Sequence, residues 1–368
     1  MPRIDLVRTT DIPMSVRTRQ VASMFDLEAK PTGERWSFDF DLPNEWNVGL
    51  IVGPSGSGKT TAAREIFGDA FVDLAWPSDG SVIDGFPRAV SIKDVTSALS
   101  AVGFSSPPSW LRPWSVLSNG QQFRANVARL LVQDRDIVAM DEFTSVVDRT
   151  VAQIGSSAVA KAVRRSDRRF VAVSCHYDII DWMQPDWVLT MPDGTLDRRS
   201  VQRRPTVDLT VSRVDRSAWD TFRRHHYLDH SINSAAACYV ATWNDRPVAF
   251  ASVLSFPHAT SPGWREHRTV CLPDFQGVGI GNALSGLVAA AYSATGKPYR
   301  SATSHPAMIR YRARSSQWRM TRKPSRVRRQ GCTSTLRGAF GGSLGRLTAT
   351  FQWVGERRPD VARAWGLI

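Results

Sequence analysis

The chain has 368 residues, 42% of them hydrophobic, so it exceeds the usual size of one domain and can form two apolar cores. No segment approaches the roughly 20 apolar residues that span a bilayer, and residues 1–19 lack the apolar run of a signal peptide, so we expect a cytoplasmic protein without a membrane partner. Its four cysteines are widely spaced and form no C-x-x-C pair, which argues against a zinc site or a disulfide framework and favours buried thiols.

The formal net charge of +13 is unevenly distributed along the chain. Residues 1–200 contain 22 Lys and Arg against 25 Asp and Glu, whereas residues 201–368 contain 25 against 9. The densest basic segment, residues 297–329, has no acidic residue. It indicates a polyanion partner, because each phosphate that a basic side chain neutralises releases counterions; a solvated basic face is the alternative. The candidate nucleic-acid contacts are Arg310, Arg312, Arg314, Arg319, Arg322, Lys323, Arg326, Arg328 and Arg329.

The first 200 residues predict an α/β fold, because short continuous apolar runs alternate with amphipathic segments. We predict strands at residues 36–40, 48–52, 82–83, 137–140 and 170–174, and helices at residues 60–67, 92–102 and 121–132. Apolar content falls around residues 198–205, and we place a linker there.

A glycine-rich motif, GPSGSGKT at residues 53–60, lies between a predicted strand and a predicted helix. It matches the P-loop pattern G-x-x-x-x-G-K-[ST] in the strand–loop–helix setting that this pattern requires. Its backbone N–H groups can converge on phosphates, Lys59 can meet the β- and γ-phosphate charges, and Thr60 can offer an oxygen to Mg²⁺. The motif therefore predicts ATP and Mg²⁺ as cofactors.

Further motifs follow in the order that ABC-type ATPases show. LSNGQQ at residues 117–122 resembles the L-S-G-G-Q signature, IVAMDE at 137–142 resembles Walker B, SVVD at 145–148 resembles the D-loop, and His176 resembles the switch histidine. The resemblance implies that Asp141 holds Mg²⁺, Glu142 polarises the attacking water and His176 senses the γ-phosphate. It also implies an ATP-dependent homodimer, because in this family the signature of one subunit completes the ATP site of another.

The same resemblance assigns the nucleotide contacts, and Thr60 and Asp141 among them would hold Mg²⁺. These contacts are Gly53, Ser55, Gly56, Gly58, Lys59, Thr60, Thr61, Asp141, Ser118 and Gly120. The sequence departs from the family pattern at the Q-loop glutamine, for which Asp84 is the nearest candidate. The interval from Lys59 to Ser118 is also short, which implies a reduced helical arm. A chain without membrane-spanning segments and with a second enzyme in its other half resembles the non-transport ABC ATPases that act on nucleic acids.

The second half predicts a mixed-sheet α/β fold. We predict strands at residues 206–211, 238–243, 247–254, 268–272 and 299–303, with helices at 218–224 and 282–294. The second and third strands form a hairpin across Asn244 and Asp245.

A second glycine-rich motif, QGVGIG at residues 276–281, follows a predicted strand and opens a predicted helix. It resembles the [QR]-x-x-G-x-[GA] motif of GNAT acyltransferases, which implies that backbone N–H groups bind the pyrophosphate of acetyl-CoA or another acyl-CoA. A Rossmann dinucleotide site is disfavoured, because no acidic residue follows about 20 positions later on a second strand. The implied acyl-CoA contacts are Gln276, Gly277, Gly279 and Gly281.

The acyltransferase also needs a proton donor for the departing thiolate. Tyr311 stands roughly where many GNAT members carry that tyrosine, although it could instead pack on a helix. His305 is a second candidate, with a helix cap as its alternative role. The histidines and tyrosine of residues 225–231 could stack on a base or bind a polar substrate, whereas metal ligation is disfavoured by the absence of nearby acids or cysteines in ligand spacing.

The segment 226–228, the glycine loop, His305 and a predicted basic helix at 310–319 are together similar to the Mom group of phage DNA-modifying GNAT relatives. This resemblance implies transfer of an acyl-derived group to adenine in DNA, in a bacterial or phage-infected host cell. It also accounts for the basic segment. We expect DNA rather than RNA as the nucleic-acid partner.

The fold prediction is an α/β chain with three parts: a P-loop ABC-type ATPase domain with a reduced helical arm at residues 1–200, a GNAT-fold mixed-sheet α/β domain at 201–330, and a C-terminal extension packed on the latter at 331–368. The leading hypothesis is a nucleic-acid-modifying enzyme whose ATPase dimer clamps the polynucleotide. The alternatives are an acetyltransferase for a protein or small amine with a regulatory ATPase, and a non-enzymatic ATP-switched DNA-binding protein.

Overall fold

A computed structural model describes residues 3–25, 32–199, 206–226, 230–326 and 347–368. The chain divides into two compact units that alternate along the sequence. The first unit comprises Met1–Asp73, Gln133–Val146 and Val163–Arg204, and the second comprises Leu74–Val132, Val147–Ala162 and Pro205–Ile368. Residues 74–132, which the sequence groups with the ATPase half, thus cluster with the second half of the chain. The domain limits at residues 200 and 330 stay a prediction.

The described strands and helices are named here in chain order. The strands are β1 (Arg3–Thr10), β2 (Thr32–Asp39), β3 (Val48–Val52), β4 (Ile137–Met140), β5 (Arg169–Ser174), β6 (Trp187–Thr190), β7 (Thr195–Arg198), β8 (Thr210–Val214), β9 (Ala237–Trp243), β10 (Arg246–Phe256), β11 (Gly263–Cys271), β12 (Tyr299–Thr303), β13 (Trp318–Arg326) and β14 (Leu347–Trp353). The helices are α1 (Val16–Met24), α2 (Lys59–Phe67), α3 (Ile92–Ala101), α4 (Pro107–Trp110), α5 (Asn119–Leu131), α6 (Arg149–Val163), α7 (Ile180–Met183), α8 (Trp219–Phe222), α9 (Ile280–Ser293), α10 (Pro306–Arg314) and α11 (Pro359–Ala364).

The first unit contains a five-stranded sheet in the order β4-β5-β3-β6-β7, which is parallel except for β7. Every residue of β3 is buried, which explains why its sequence is a continuous apolar run. Four aromatic side chains, Phe40, Trp46, Phe67 and Trp187, pack on one another with ring centroids 5.4–6.3 Å apart. Strands β1 and β2 form a separate antiparallel pair.

Most predicted elements of this half are confirmed, including the strands at 48–52 and 137–140. The predicted strand at 82–83 is wrong, because Ile83–Gly85 forms a 3-10 turn. The Asp84 carboxylate accepts a hydrogen bond from the Ser81 backbone N–H at 2.9 Å, and such a local bond favours a turn over a strand.

The second unit contains a seven-stranded sheet in the order β13-β14-β12-β11-β10-β9-β8. All neighbours are antiparallel except β11 and β12, which pair in parallel at only two positions, Trp264 with Tyr299 and Arg265 with Arg300. The predicted hairpin between β9 and β10 is confirmed, and both of its turn residues have positive φ, 48° at Asn244 and 61° at Asp245.

The predicted helix at 310–319 is wrong in its second half, because α10 ends at Arg314 and β13 begins at Trp318. Strand β13 pairs with β14, and the Trp318 ring packs on the Trp353 ring with centroids 5.1 Å apart. The partner strand comes late in the chain, so no local pattern indicates the pairing. The predicted strand at 206–211 is likewise displaced, because β8 begins at Thr210.

Among the helices that the structure describes, none is both long and apolar enough to cross a bilayer. Cys238 is buried as predicted, whereas Cys175 and Cys271 are half-buried, and all three are free thiols. The fourth, Cys332, lies outside the described residues.

Candidate functional sites

The P-loop, residues 53–60, connects β3 to α2 at the carboxyl end of the parallel sheet. Gly56 and Gly58 adopt φ of 80° and 84°, which side chains rarely tolerate. A Cβ at Gly58 would also lie 2.7 Å from the Trp36 ring. The Lys59 ammonium donates to the Pro54 carbonyl at 2.7 Å, so it folds over the loop. A loop of this shape at a helix N-terminus can hold phosphate groups.

Asp141 and Glu142 directly follow β4. Strand β5 lies between β4 and β3, the strand that leads into the P-loop. Thr60 Oγ1 donates to Asp141 Oδ1 at 3.3 Å, and the Glu142 backbone N–H donates to the same oxygen at 2.9 Å. The Ser145 hydroxyl donates to the Glu142 carboxylate. The paired oxygens of Thr60 and Asp141 suit Mg²⁺, a hard cation that prefers oxygen ligands.

His176 follows β5, which lies between β3 and β4 in the sheet. Its backbone N–H donates to Ser174 Oγ at 3.1 Å, and its side chain is half-buried. The carboxyl ends of adjacent parallel strands meet at one sheet edge, so the structure brings together the P-loop, the two acids and the histidine.

The signature segment lies at the start of α5 in the second unit. Ser118 is the N-cap, and it forms a reciprocal capping box with Gln121. Ser118 is exposed, and its hydroxyl accepts a hydrogen bond from the Gln121 backbone N–H in the first turn of α5.

The second glycine loop connects β11 to α9. Gly277 and Gly279 adopt φ of 96° and 108°, and Gly279 caps the 14-residue helix α9. A Cβ at Gly279 would meet no atom within 4 Å, so there is open space beside this helix N-terminus. Because β11 and β12 pair only near their first residues, the sheet opens on the side of this loop. The open N-terminus fits a pyrophosphate group.

The chain is similar to known proteins of two kinds. The acetyltransferase (GNAT) family model matches residues 202–311. The energy-dependent translational throttle protein EttA of Mycobacterium tuberculosis H37Rv is 29% identical over 185 residues, which cover 40% of this chain and 31% of EttA. An uncharacterised ABC transporter ATP-binding protein of Haemophilus influenzae is 33% identical over 136 residues, covering 29% of this chain and 55% of that protein. This chain contains a segment that matches the GNAT acetyltransferase family and a segment that is similar to ABC-type ATP-binding proteins.

The chain spans about a third to a half of the length of these curated relatives. Among solved structures, the dimeric bacterial ABC transporter cassette MJ0796 is 17% identical with a TM-score of 0.37, covering 45% of this chain and 92% of that one.

In the GNAT domain, both the oxygen and the nitrogen of the Gln276 side-chain amide form hydrogen bonds. Its Oε1 accepts from the Ser105 backbone N–H at 2.9 Å, and its Nε2 donates to the Cys271 carbonyl at 2.9 Å. A Cβ at Gly277 would lie 2.7 Å from the Ala158 Cβ. Gln276 and Gly277 therefore anchor the loop, while the open space lies at Gly279.

The two candidate proton donors of the GNAT domain occupy different surroundings. Tyr311 lies on α10 with 43% of its surface exposed. His305 caps α10, and its Nε2 lies 2.9 Å from the Ser105 carbonyl. Burial lowers the pKa of His305 below its usual value, and the bond to Ser105 offsets only part of this effect. If neutral His305 donates its Nε2–H to the Ser105 carbonyl, that proton is not free to be donated to a thiolate.

The candidate nucleic-acid residues divide into four groups. Arg314, Arg319, Arg322 and Lys323 are exposed, and Arg310 donates to the Ser97 hydroxyl. Arg312 corrects the prediction, because it is only 1% exposed and its guanidinium is paired inside the GNAT domain. The Arg326 side chain, Arg328 and Arg329 lie outside the described residues.

The partner of Arg312 is Glu266, which the sequence analysis did not single out. Their Nη2 and Oε2 atoms are 2.9 Å apart, and Ser285 and Ser301 donate to the same carboxylate at 2.6 and 2.5 Å. Burial opposes ionisation of Glu266, but Arg312 and the hydroxyls outweigh it and lower its pKa. Glu266 stands among Arg265, His267 and Arg268, so its sequence neighbours suggest an exposed strand. No signal in the sequence indicates the burial.

The histidine segment is partly described. The Trp219 ring packs on the buried His226 ring with centroids 5.7 Å apart, and the Trp219 indole donates to the His230 carbonyl at 2.6 Å. Tyr227 lies outside the described residues. Within the described ranges, no three His, Cys, Asp or Glu side chains are grouped as metal ligands.

Proposed function

We propose that this protein is an ATP-hydrolysing enzyme that transfers an acyl group from acetyl-CoA or another acyl-CoA to a nucleic-acid base, with adenine in DNA as its target. The observation that carries the proposal is the exposed basic edge of the GNAT sheet. Arg319, Arg322 and Lys323 are exposed on the edge strand β13. The same sheet contains β11, which leads into the glycine loop at residues 272–279, called the acyl-donor loop from here on. Basic side chains on an edge can hold phosphates of a polynucleotide while a base reaches the transfer site.

The ATPase residues have separate tasks in this proposal. The P-loop N–H groups and Lys59 hold the phosphates, Thr60 and Asp141 hold Mg²⁺, and Glu142 orients the attacking water. Bound Mg²⁺ would neutralise phosphate charge. The signature at Ser118 would complete the ATP site of a second copy, giving an ATP-dependent homodimer that clamps the polynucleotide.

In the acyl transfer, one covalent bond breaks, one forms, and one proton passes from the base amine to the leaving group. The thioester C–S bond breaks, a C–N bond forms at the base amine, and the proton that the amine loses ends on the departing sulfur. The first-turn N–H groups of α9 hold the acyl donor. Tyr311 is the proposed proton donor for the sulfur, because its side chain is exposed whereas the His305 Nε2 is hydrogen-bonded to the Ser105 carbonyl. Extruding a base from duplex costs a few kcal/mol, which closure of an ATP-bound dimer could offset.

DNA binding as a function of salt tests the proposed partner. If the β13 edge holds phosphates, the affinity falls with salt with a log-log slope near −0.9 per phosphate contacted. Replacing Arg319, Arg322 and Lys323 together by Gln should reduce the steepness by about 2–3. The control replaces three exposed arginines of the other unit, Arg8, Arg17 and Arg19, and should leave the slope unchanged.

If the β13 variant binds DNA with the wild-type slope, or if neither form binds DNA at about 0.1 M salt, the basic edge is a solvated face. An N-acetyltransferase for a protein or a small amine, with a regulatory ABC module, then becomes the better function.

A further inference from the structure

One face of the signature helix α5 lies against the acyl-donor loop, and both belong to the second unit. Gly120 and Arg124 are four residues apart and therefore share this face. A Cβ at Gly120 would lie 3.7 Å from Asp274 Oδ1, so the signature glycine adjoins the residues that lead into the glycine loop. Arg124 continues the contact one turn further along.

The Arg124 guanidinium is only 2% exposed and binds three backbone carbonyls. Its Nη1 donates to Gly103 at 3.1 Å and also to Pro273, while its Nη2 donates to Asp274 at 2.9 Å. Burial lowers the pKa of Arg124 to about 10, which leaves the side chain charged at neutral pH. Charge-assisted hydrogen bonds from one planar group thus join the segment after α3 to the acyl-donor loop.

A backbone contact reinforces the same junction. A Cβ at Gly103 would lie 2.5 Å from the Gln276 carbonyl oxygen, and a Cβ at Gly277 would lie 2.9 Å from the Gly103 Cα. The two glycines therefore allow a close approach that side chains would prevent. Ser105, two residues after Gly103, also donates to Gln276.

We propose that Arg124 is a positioning residue for the acyl-donor loop, and that it links nucleotide binding at the signature to acyl-donor affinity. The inference rests on the proposed ATPase and acyltransferase function. Nucleotide that engages the start of α5 shifts the balance between arrangements of this helix, and the three carbonyl bonds impose the same arrangement on the loop. Such a link is reciprocal: the factor by which nucleotide changes donor affinity equals the factor by which donor changes nucleotide affinity.

Titration calorimetry on the full chain tests this link with two ligands that do not react, coenzyme A and the Mg²⁺ complex of AMP-PNP. In the wild type, AMP-PNP should change the Kd of coenzyme A by at least about 5-fold, and coenzyme A should change the Kd of AMP-PNP by the same factor. Arg124→Lys keeps the charge but loses the planar fork whose two nitrogens reach the three carbonyls, so both factors should fall to within about twofold of one.

The matched control is Arg129→Lys on the same helix. Arg129 donates to the Ala75 carbonyl at 2.8 Å and packs over Trp76, away from the acyl-donor loop, so its replacement should preserve the coupling factor. If Arg124→Lys fails to fold, Gln276→Met is measured instead. This change removes the side-chain hydrogen bonds to Ser105 and Cys271, and it should also lower the coupling factor toward one.

The possible outcomes separate this inference from the function on which it rests. If the wild type binds both ligands and neither changes the Kd of the other, the link is overturned while both modules keep their functions. Retention of the wild-type factor in a folded Arg124→Lys protein also overturns it. Failure of the wild type to bind coenzyme A at all contradicts the acyl-donor function itself.

Discussion

Asp141 and Glu142 are adjacent acids with different surroundings. Asp141 accepts hydrogen bonds from Thr60 and from the Glu142 backbone, which orients it for a cation. Glu142 has a positive φ of 52°, and Ser145 donates to its carboxylate. A strained backbone at such a position is typical of functional sites. The two acids can therefore divide metal binding and water activation between them.

Replacing Glu142 by Gln should lower the rate of ATP hydrolysis by about 100-fold or more, because the group that polarises water is lost. ATP binding should persist, since Lys59, Thr60 and Asp141 remain. Single-turnover hydrolysis and nucleotide titration measure the two effects. Glu65→Gln, an exposed carboxylate on α2, is the control and should hydrolyse at the wild-type rate. Wild-type hydrolysis by Glu142→Gln would exclude Glu142 as the carboxylate that polarises the attacking water.

The buried pair of Glu266 and Arg312 joins four elements of the GNAT domain. Glu266 comes from β11, Ser285 from α9, Ser301 from β12 and Arg312 from α10. Removing one partner leaves the other charge buried without compensation, which costs about 3–5 kcal/mol. The pair therefore holds α10, which carries Tyr311, onto the sheet.

Glu266→Gln should lower the melting temperature by roughly 5–10 °C at neutral pH. The folded-state pKa of Glu266 is lowered from 4.5, so its stabilisation is complete above about pH 4.5 and is lost as the pH falls further. The difference between variant and wild type should thus shrink below about pH 4.5 in thermal melts recorded from neutral to acidic pH. Glu356→Gln, at an exposed position, should show little difference at any pH. A difference in melting temperature between Glu266→Gln and wild type that stays constant down to acidic pH would contradict the lowered pKa of Glu266.

The motif residues could be named from the sequence because each motif is contiguous, and their roles stay predictions. The structure brings the P-loop, Asp141, Glu142 and His176 to one sheet edge, as the sequence implies. Arg312 and Arg124 could not be placed, because their partners come from distant segments. In the sequence, Arg312 is one of many arginines in a basic run, and only the fold separates it from its exposed neighbours.

At the scale of elements, helix α9 depends on the backbone at its first turn. Gly279 caps the helix at φ 108°, in a region that costs an L-residue about 1–2 kcal/mol. A side chain there would also fill the open space beside the first-turn N–H groups. The same replacement therefore changes both the loop geometry and the space for a ligand.

Gly279→Val should weaken acetyl-CoA binding by at least about tenfold in equilibrium titrations, because the side chain competes with the pyrophosphate. Hydrolysis of ATP without acetyl-CoA should persist. Gly286→Ala in the same helix is the control: its Cβ would meet Trp353 at 3.7 Å, an ordinary contact, and binding should be unchanged. Acetyl-CoA binding at wild-type affinity by Gly279→Val would count against the loop as the donor site.

Elements with self-contained patterns were predicted well, and those that depend on a distant partner were not. The apolar run of β3 and the hairpin at Asn244 are local signals, and both are confirmed. Strand β13 contains Lys and Pro, which are depleted in strands, and its pairing with β14 is not visible in the local sequence. Its position as an edge strand explains why such residues are tolerated.

At the scale of the whole molecule, the sequence suggests two successive domains, whereas the structure divides the chain into units that alternate along it. Residues 74–132 contain the signature helix and cluster with the GNAT domain. Contacts such as those of Arg124 join segments about 150 residues apart, and linear motif order carries no information about them. This arrangement is the basis for the proposed coupling between nucleotide binding and acyl-donor binding.

The most direct test of the account is the fate of the acyl group. Purified protein, duplex DNA and acetyl-CoA labelled in its acetyl group are incubated with and without ATP, and the DNA is digested to nucleosides for mass spectrometry. We predict label on deoxyadenosine that depends on ATP and is lost in Gly279→Val. Label that appears only on the protein, or consumption of acetyl-CoA with unlabelled nucleosides, would contradict transfer to a base.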